Sequence, residues 1–235
     1  MKLRMQITKD PEIRFISHLE YVRTIGRAIR RAKLPAAYSE GFNPHLKFSL
    51  ASALGVGVVS YTEFVEIELA EPMEVENAAR ALDAALPRGI RVLAADAVDT
   101  HHAALMSQAA GAGYRVTLPF SENVSDAVAQ FNACQELLFK KAAPKTKIGY
   151  KEIDVKFYIP HLECVQNEEK TIFTFDCKIT PTGSMKAVDL LNALNEQYQL
   201  NLPVAMADIE RLRLYRLGKK GQQLPMLNND AVRLS

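Results

Sequence analysis

The sequence has little of what the familiar catalytic and membrane classes require. Its three cysteines, Cys134, Cys164 and Cys177, are scattered along the chain. They match neither the close ligand spacing of a zinc site nor the clustered thiolates that hold iron and sulfur. The expectation is that this chain carries no metal or cluster of its own. Cys164 and Cys177 sit where a hairpin would bring them close, but two reduced, buried thiols suit a cytoplasmic protein better. No GxxxxGK[ST] loop, HExxH helix or GxSxG elbow is present, and Gly55/Gly57 do not open a helix as a dinucleotide site would. Most enzyme classes lose support from those absences. The longest apolar run, SLASALGVGVV from Ser49, is too short and too glycine-rich to span a bilayer. The first ten residues, MKLRMQITKD, hold no apolar stretch of the kind a secretory leader carries. A soluble cytoplasmic protein without membrane contact is the expectation.

Charge of either sign is also nearly balanced, at +2 for 29 Lys and Arg against 27 Asp and Glu, so the whole-molecule charge selects no partner. Local clustering does. Between His18 and Lys33 stand Arg23, Arg27, Arg30, Arg31 and Lys33 against Glu20 alone.

The first half reads as strand, helix, strand, strand, helix, strand. KLRMQIT (2–8) alternates polar and apolar, as a half-buried strand does. Ser17 with Glu20 forms a capping box, and Leu19, Val22, Ile25, Ile29 and Ala32 follow at helical spacing, placing the arginines on the opposite side. Pro35 ends this helix. After a run near Leu46–Ala53 and a Gly55/Gly57 turn comes the alternating strand YTEFVEIEL. Glu74–Leu86 is a second amphipathic helix, stopped by Pro87-Arg88-Gly89, and IRVLAADAV is a closing strand. The segment 99–112 reads as a linker. Beyond it the order recurs: strand Gly113–Leu118, helix Asn123–Phe139, strands Ile153–Ile159 and Lys170–Ile179, helix Gly183–Glu196 and strand Ile209–Leu217. Two consecutive βαββαβ units imply an α+β fold of tandem ferredoxin-like sandwiches with antiparallel sheets, at 1–98 and 113–217. A polar tail, 218–235, follows, frayed or docked.

Guanidinium groups spaced four residues apart on one helix face can track a line of phosphates, and Arg14 and Lys47 extend the same sign of charge. The loop YSEGFNPHLKFS, Tyr38 to Ser49, adds a bend permitted by Gly41 and fixed by Pro44. Its Ser39, Asn43, His45 and Lys47 supply donors for phosphate or sugar oxygens, while Tyr38 and Phe42 offer rings for unpaired bases. The competing reading makes the arginines a solvated face and Phe42 a plug for the core. His18, beside the cap, reads as a structural histidine and His45, in the loop, as the better candidate for proton transfer. The alternative use of this pair is metal-independent RNA cleavage, with His18 and His45 as the two proton-transfer groups. His101-His102 has no third ligand in view. In the second half, Lys145, Lys147, Lys151 and Lys156 stand before and along a strand in which Glu152, Asp154 and Lys156 share one face. Lys147 and Lys151 are candidates for a second phosphate-contacting patch, against the plainer reading of an edge charged to resist aggregation.

In RFISHLEYVRTIGRAIRRAKLP, YSEGFNPHLKFSLASALGVGVVSYTEFVEIEL and KEIDVKFYI, read in that order, the chain resembles the bacterial radical-SAM-linked proteins. The likeness covers most of the chain and is strongest over Arg14–Leu69. Proteins of that family occur beside, or fused to, a radical S-adenosylmethionine enzyme, so the resemblance implies such a partner. That partner would hold the iron–sulfur cluster and S-adenosylmethionine. Their genes often neighbour those for ribonucleases and ribosomal proteins, which implies RNA metabolism by association. The resemblance carries no catalytic residue over to this chain. The tandem sandwich is also similar to the architecture of CRISPR RNA-processing endonucleases, a likeness of fold only. Together these readings predict an RNA-binding accessory module, with a two-histidine endoribonuclease and a protein–protein scaffold as alternatives.

Overall fold

The computed structural model describes residues 1–99, 103–144, 146 and 148–234. Along the chain run β1 (Lys2–Lys9), α1 (His18–Arg31), β2 (Phe48–Leu50), β3 (Val58–Glu68), α2 (Val75–Ala85), β4 (Val92–Val98), α3 (Leu105–Gln108) and β5 (Gly111–Pro119). There follow α4 (Val124–Ala133), β6 (Leu138–Ala142), β7 (Tyr150–Asp154), α5 (Val155–Tyr158), β8 (Glu163–Gln166), β9 (Lys170–Thr180) and β10 (Gly183–Ser184). The last elements are α6 (Ala187–Tyr198), β11 (Asp208–Leu217), β12 (Gln223–Pro225) and β13 (Val232–Arg233). The fold is mixed α+β on a mostly antiparallel sheet. No helix among the described residues is long and apolar enough to cross a membrane. Two compact units divide the chain, residues 1–110 with 213–235, and residues 111–212.

In the first unit β1 is central, paired antiparallel with β3 on one side and β4 on the other, and β2 pairs with the far end of β3. α1 starts where the Ser17 hydroxyl accepts the Glu20 N–H at 3.2 Å, as its capping box predicts. The Glu74 carboxylate caps α2 through the Asn77 N–H at 2.7 Å. Leu3, Met5 and Ile7 of β1, Ile25 and Ile29 of α1, and Ala78 and Leu82 of α2 share one core. Gly89 closes the approach to β4 at φ +92°, where a Cβ would lie 2.9 Å from Ile13.

The strand β1 is not the half-buried element its alternation predicts, because Arg4 and Thr8 are buried on its second face as well. That face is covered by α3 and the C-terminal segment. Within the expected linker, Leu105 is fully buried, and in the polar tail Met226 and Leu227 are buried. β12 pairs with β11, and β13 with β4.

The second unit pairs β5 with β9 along their length, and β8 and β10 with β9. Three expected elements differ here. The helix expected over Asn123–Phe139 stops at Ala133, since Cys134 turns extended and Leu138–Ala142 pairs with Tyr150–Asp154. The buried and exposed residues of Leu138–Phe139–Lys140 alternate, a strand period that the helical reading passed over. The strand expected over Ile153–Ile159 ends at Asp154, whose carboxylate caps α5 by accepting the Lys156 N–H at 3.0 Å. Glu152, Asp154 and Lys156 therefore do not form one strand face. Finally, Gly183–Ser184 pairs back on Ile179–Thr180, so α6 begins at Ala187.

Cys164 lies opposite Phe173 and Cys177 opposite Ala112, and all three cysteines are free thiols. Burial pushes the Cys177 thiol up to about 11. The folded state thus keeps this proton longer than the unfolded chain does. That contribution is complete below the ordinary thiol range and is lost as pH rises through about 11, an effect of about 3 kcal/mol in all. Denaturant midpoints should fall between pH 8.5 and 11 in the parent and fall less in Cys177→Ala.

Candidate nucleic-acid interface

The basic helix is placed by its apolar side. Tyr21, Ile25, Ala28 and Ile29 are buried, and the Tyr21 hydroxyl donates to the Thr8 carbonyl at 2.6 Å. Gly26 lets α1 close on β2, where an added Cβ would meet the Phe48 ring at 3.2 Å. Arg23, Arg27, Arg30 and Arg31 are consequently all exposed. Leu19, expected on the apolar side, is 56 % exposed. At about 100° per residue it falls about 40° from Arg23, on the arginine face.

The four arginines are not equivalent. Arg23 pairs with Glu20 at 2.6 Å, both half exposed, an interaction weak enough to exchange for a phosphate. Arg31 donates to the Ala85 carbonyl at 2.8 Å, at the C-terminal end of α2, where a cation is favoured. Arg27 and Arg30 have no ion-pair partner among the described residues. Arg14 donates to the Gly57 carbonyl at 2.9 Å and lies 5.4 Å from the centre of the Phe15 ring. It fixes the entry loop of α1 as well as adding charge there.

The loop after α1 is a closed hairpin. Tyr38 and Leu46 form a bridge, the Ser39 N–H donates to the His45 carbonyl at 2.9 Å, and the Lys47 N–H donates to the Ala37 carbonyl at 2.9 Å. Side chains tighten the same closure, with Ser39 Oγ accepting the His45 N–H at 3.1 Å and lying 2.8 Å from His45 Nδ1. Gly41 takes φ +110°, a value open to glycine and strained for other residues. At this tip Phe42 is fully exposed and Asn43 and His45 are exposed beside it, while Tyr38 is 48 % exposed. Phe42 is therefore no plug for the core; Leu46 and Leu50, on the returning arm, fill that role. Lys47 is exposed and pairs with Glu68 at 3.3 Å. Glu40 is the acid of the tip.

His18 is half buried at the start of α1, whereas His45 is on the hairpin, and each is held within a different local framework. Lys151 is exposed on β7, opposite Lys141, and belongs to the second unit. Lys156 serves the fold, donating to the carbonyls of Phe131 at 3.0 Å and Pro160 at 2.6 Å. Lys145, Lys147 and His101-His102 lie outside the described residues.

Among the exposed aromatics that the sequence did not single out, Phe15 is the most exposed. Phe15 is 74 % exposed just before α1, with Val56 and Leu19 exposed near the same end. It stands in a non-periodic loop, and the only sequence signal was an aromatic directly after a basic residue.

A family model described as an uncharacterized protein conserved in bacteria (DUF2344) matches residues 2–205. The chain belongs to that family. No curated protein matches this DUF2344 member in sequence. Among solved structures it is similar to a chain in the crystal structure of a Cbf5-Nop10-Gar1 complex, at 13% identity and a TM-score of 0.50. The match covers 90% of this chain and 48% of that chain, so the present chain spans about half the length of its neighbour. At that identity the likeness is one of fold alone. An unknown protein from Galdieria sulphuraria matches at 14% identity over 89% of this chain and 97% of that one, with a TM-score of 0.26 that carries no argument.

Proposed function

We propose that this DUF2344 protein is an RNA-binding accessory module that presents RNA to a radical S-adenosylmethionine enzyme. The observation that carries the RNA half is Phe42, wholly exposed at the tip of a hydrogen-bonded hairpin that feeds into the strand packed under α1. Exposing a Phe on a rigid tip costs the fold an apolar burial, and an unpaired base is a flat apolar surface that repays it. On the exposed side of α1, Arg27 and Arg30 are available to phosphates, and Arg23 and Lys47 are held only by surface carboxylates. Single-stranded RNA is favoured over duplex, because a protruding ring needs an unstacked base. The radical enzyme enters through the family resemblance; it would supply the cluster and S-adenosylmethionine. The finer reading of the fold as tandem ferredoxin-like sandwiches belongs to the same proposal, motivated by the strand order β4-β1-β3-β2 under two helices in the first unit.

The test is binding of single-stranded cellular RNA across a salt series. Arg27→Gln/Arg30→Gln should flatten the log–log salt slope by about 0.7 per lost contact. Phe42→Ala should weaken binding by about 1–3 kcal/mol with the slope unchanged. Affinity and slope unaltered in both variants would refute the assignment. Chelator-resistant cleavage abolished by His18→Ala or His45→Ala would replace it with the endoribonuclease. Recovery from cells of a protein partner without nucleic acid would replace it with the scaffold.

A further inference from the structure

Three large apolar side chains of the first unit are exposed around the entry to α1: Phe15 at 74 %, Val56 at 59 % and Leu19 at 56 %. Their backbone is fixed. The Gly57 N–H donates to the Arg14 carbonyl at 2.8 Å, and Arg14 Nε donates to the Gly57 carbonyl at 2.9 Å. On the far side of Phe15 and Val56, the Lys9 ammonium donates to the carbonyls of Ile16 at 3.2 Å and Gly55 at 3.3 Å. The two residues thus occupy facing positions on segments strapped together at both ends, and a Cβ on Gly57 would lie 3.9 Å from the Phe15 ring. Leu19 is the second residue of α1. At about 100° per residue, Leu19, Glu20, Arg23 and Arg27 fall within about 100° of arc, so they form one exposed stripe that continues the patch along the helix.

A fixed apolar exposure of this kind marks a contact surface, and its charges select what covers it. Leu19 and Val56 are not planar and give an unpaired base little to stack on, while Glu20 beside Leu19 repels a phosphate. The stripe is instead graded along its length, apolar and acidic at the start of α1 and cationic from Arg23 onward. A copy of the same stripe running the other way is its complement. In an antiparallel pair of α1 helices centred between residues 20 and 23, Glu20 of each copy meets Arg23 of the other, which is the reciprocity an isologous twofold contact requires. The exposed Glu20–Arg23 pair at 2.6 Å is weak within one chain, so it exchanges readily for two such pairs across the contact. One turn further out, the patch of each copy lies against the turn that carries Arg27 of the other, whose apolar stem covers Phe15 and Leu19.

We infer that this surface is a self-association site, at which two copies of this chain pair antiparallel through α1 and the Phe15–Val56 patch. The pairing goes beyond RNA binding. It rests on that reading in one respect only: it covers Arg23 and Arg27, so single-stranded RNA competes with it.

Sedimentation of nuclease-treated protein over about 1–200 μM tests it, with a dimer expected to form at about 10 μM, the weak end that suits a small contact. Phe15→Ser/Leu19→Ser, at two exposed positions, should raise that concentration at least about tenfold. Glu20→Arg should do the same by setting like charges across the axis, and Glu20→Arg/Arg23→Glu should restore the dimer, since both copies then carry the exchanged pair. Both charge variants place the same arginine in the first turn of α1, so a difference between them reads the contact and not the helix. A parent monomeric throughout, or a dimer indifferent to Phe15→Ser/Leu19→Ser and to Glu20→Arg, overturns the site. Loss of RNA binding in Phe15→Ser/Leu19→Ser without any dimer in the parent gives the patch to RNA instead. A dimer that forms as expected but is not dissociated by single-stranded RNA leaves the pairing established and refutes the RNA reading of these arginines.

Discussion

Lys9→Met is expected to destabilise the protein by about 2–4 kcal/mol and to loosen the entry to α1. Lys9 is 1 % exposed, and its ammonium donates to three backbone carbonyls, those of Arg14 at 2.9 Å, Ile16 at 3.2 Å and Gly55 at 3.3 Å. Those carbonyls come from two loops that carry Arg14, Phe15 and Val56. Both loops run irregularly, so neither a helix nor a strand ladder ties them together. A charge-assisted donor shared among them adds to the two Arg14–Gly57 hydrogen bonds that join them. Methionine keeps most of the stem volume, so the loss reads the head group rather than a cavity. Arginine should not restore it, because a planar fork cannot aim three donors as a tetrahedral ammonium does. Urea midpoints measure the stability. Hydrogen exchange at the Gly57 amide, which donates to the Arg14 carbonyl at 2.8 Å, measures the loop closure. A Lys9→Met protein within about 1 kcal/mol of the parent and with that amide still protected would show that the clasp is dispensable.

Lys9 also marks where sequence reading stops. By alternation it belongs to the strand that begins KLRMQIT, at a point where a lysine is ordinarily the residue that turns outward. Nothing local indicates that carbonyls from residues 14, 16 and 55 converge there. Features fixed by neighbours in sequence were legible: the Ser17 cap, the basic face of α1 and the bend at Gly41–Pro44. The end of α1 was not, since the helix stops at Arg31 and turns through a left-handed Lys33 before Pro35 is reached. The orientation of Leu19 was legible too, from angle alone, and was misread by grouping it with Ile25. The exposure of Phe42 was not, since a lone aromatic in a loop has no period to show whether the core reaches it. Short strands such as Leu138–Ala142 and Glu163–Gln166 depend on a partner strand for their existence, so their weak alternation became decisive only after pairing. The polar tail was the hardest case. It holds its place through backbone pairing and two apolar residues, Met226 and Leu227, set against a sheet face built far away in sequence.

That face supplies the other large effect. Arg4 is buried and places two of its nitrogens on Glu66 Oε2, at 2.7 and 3.2 Å. Its remaining nitrogen donates to the Gln108 side chain at 3.1 Å and to the Met226 carbonyl at 3.0 Å. One side chain therefore joins β1 and β3 to α3 and to the C-terminal segment. Lys2, at 3.5 Å from Glu66 Oε1, does not replace it, being on the other carboxylate oxygen and without bonds to the tail. Glu66→Gln should cost about 3–5 kcal/mol, because it leaves the Arg4 charge buried with neutral partners only. Arg4→Met/Glu66→Met should recover most of that loss, since an apolar pair needs no compensation in a buried setting. The two variants should part company at the tail. In Glu66→Gln the Met226 carbonyl keeps its donor and the segment 218–234 stays resistant to limited proteolysis, as in the parent. In the double variant that donor is gone, so the stability returns while the tail is cleaved faster. Recovered stability with a tail as resistant as the parent's would mean that the strand pairing of β12 and β13 holds the segment unaided, and that Arg4 serves the sheet alone.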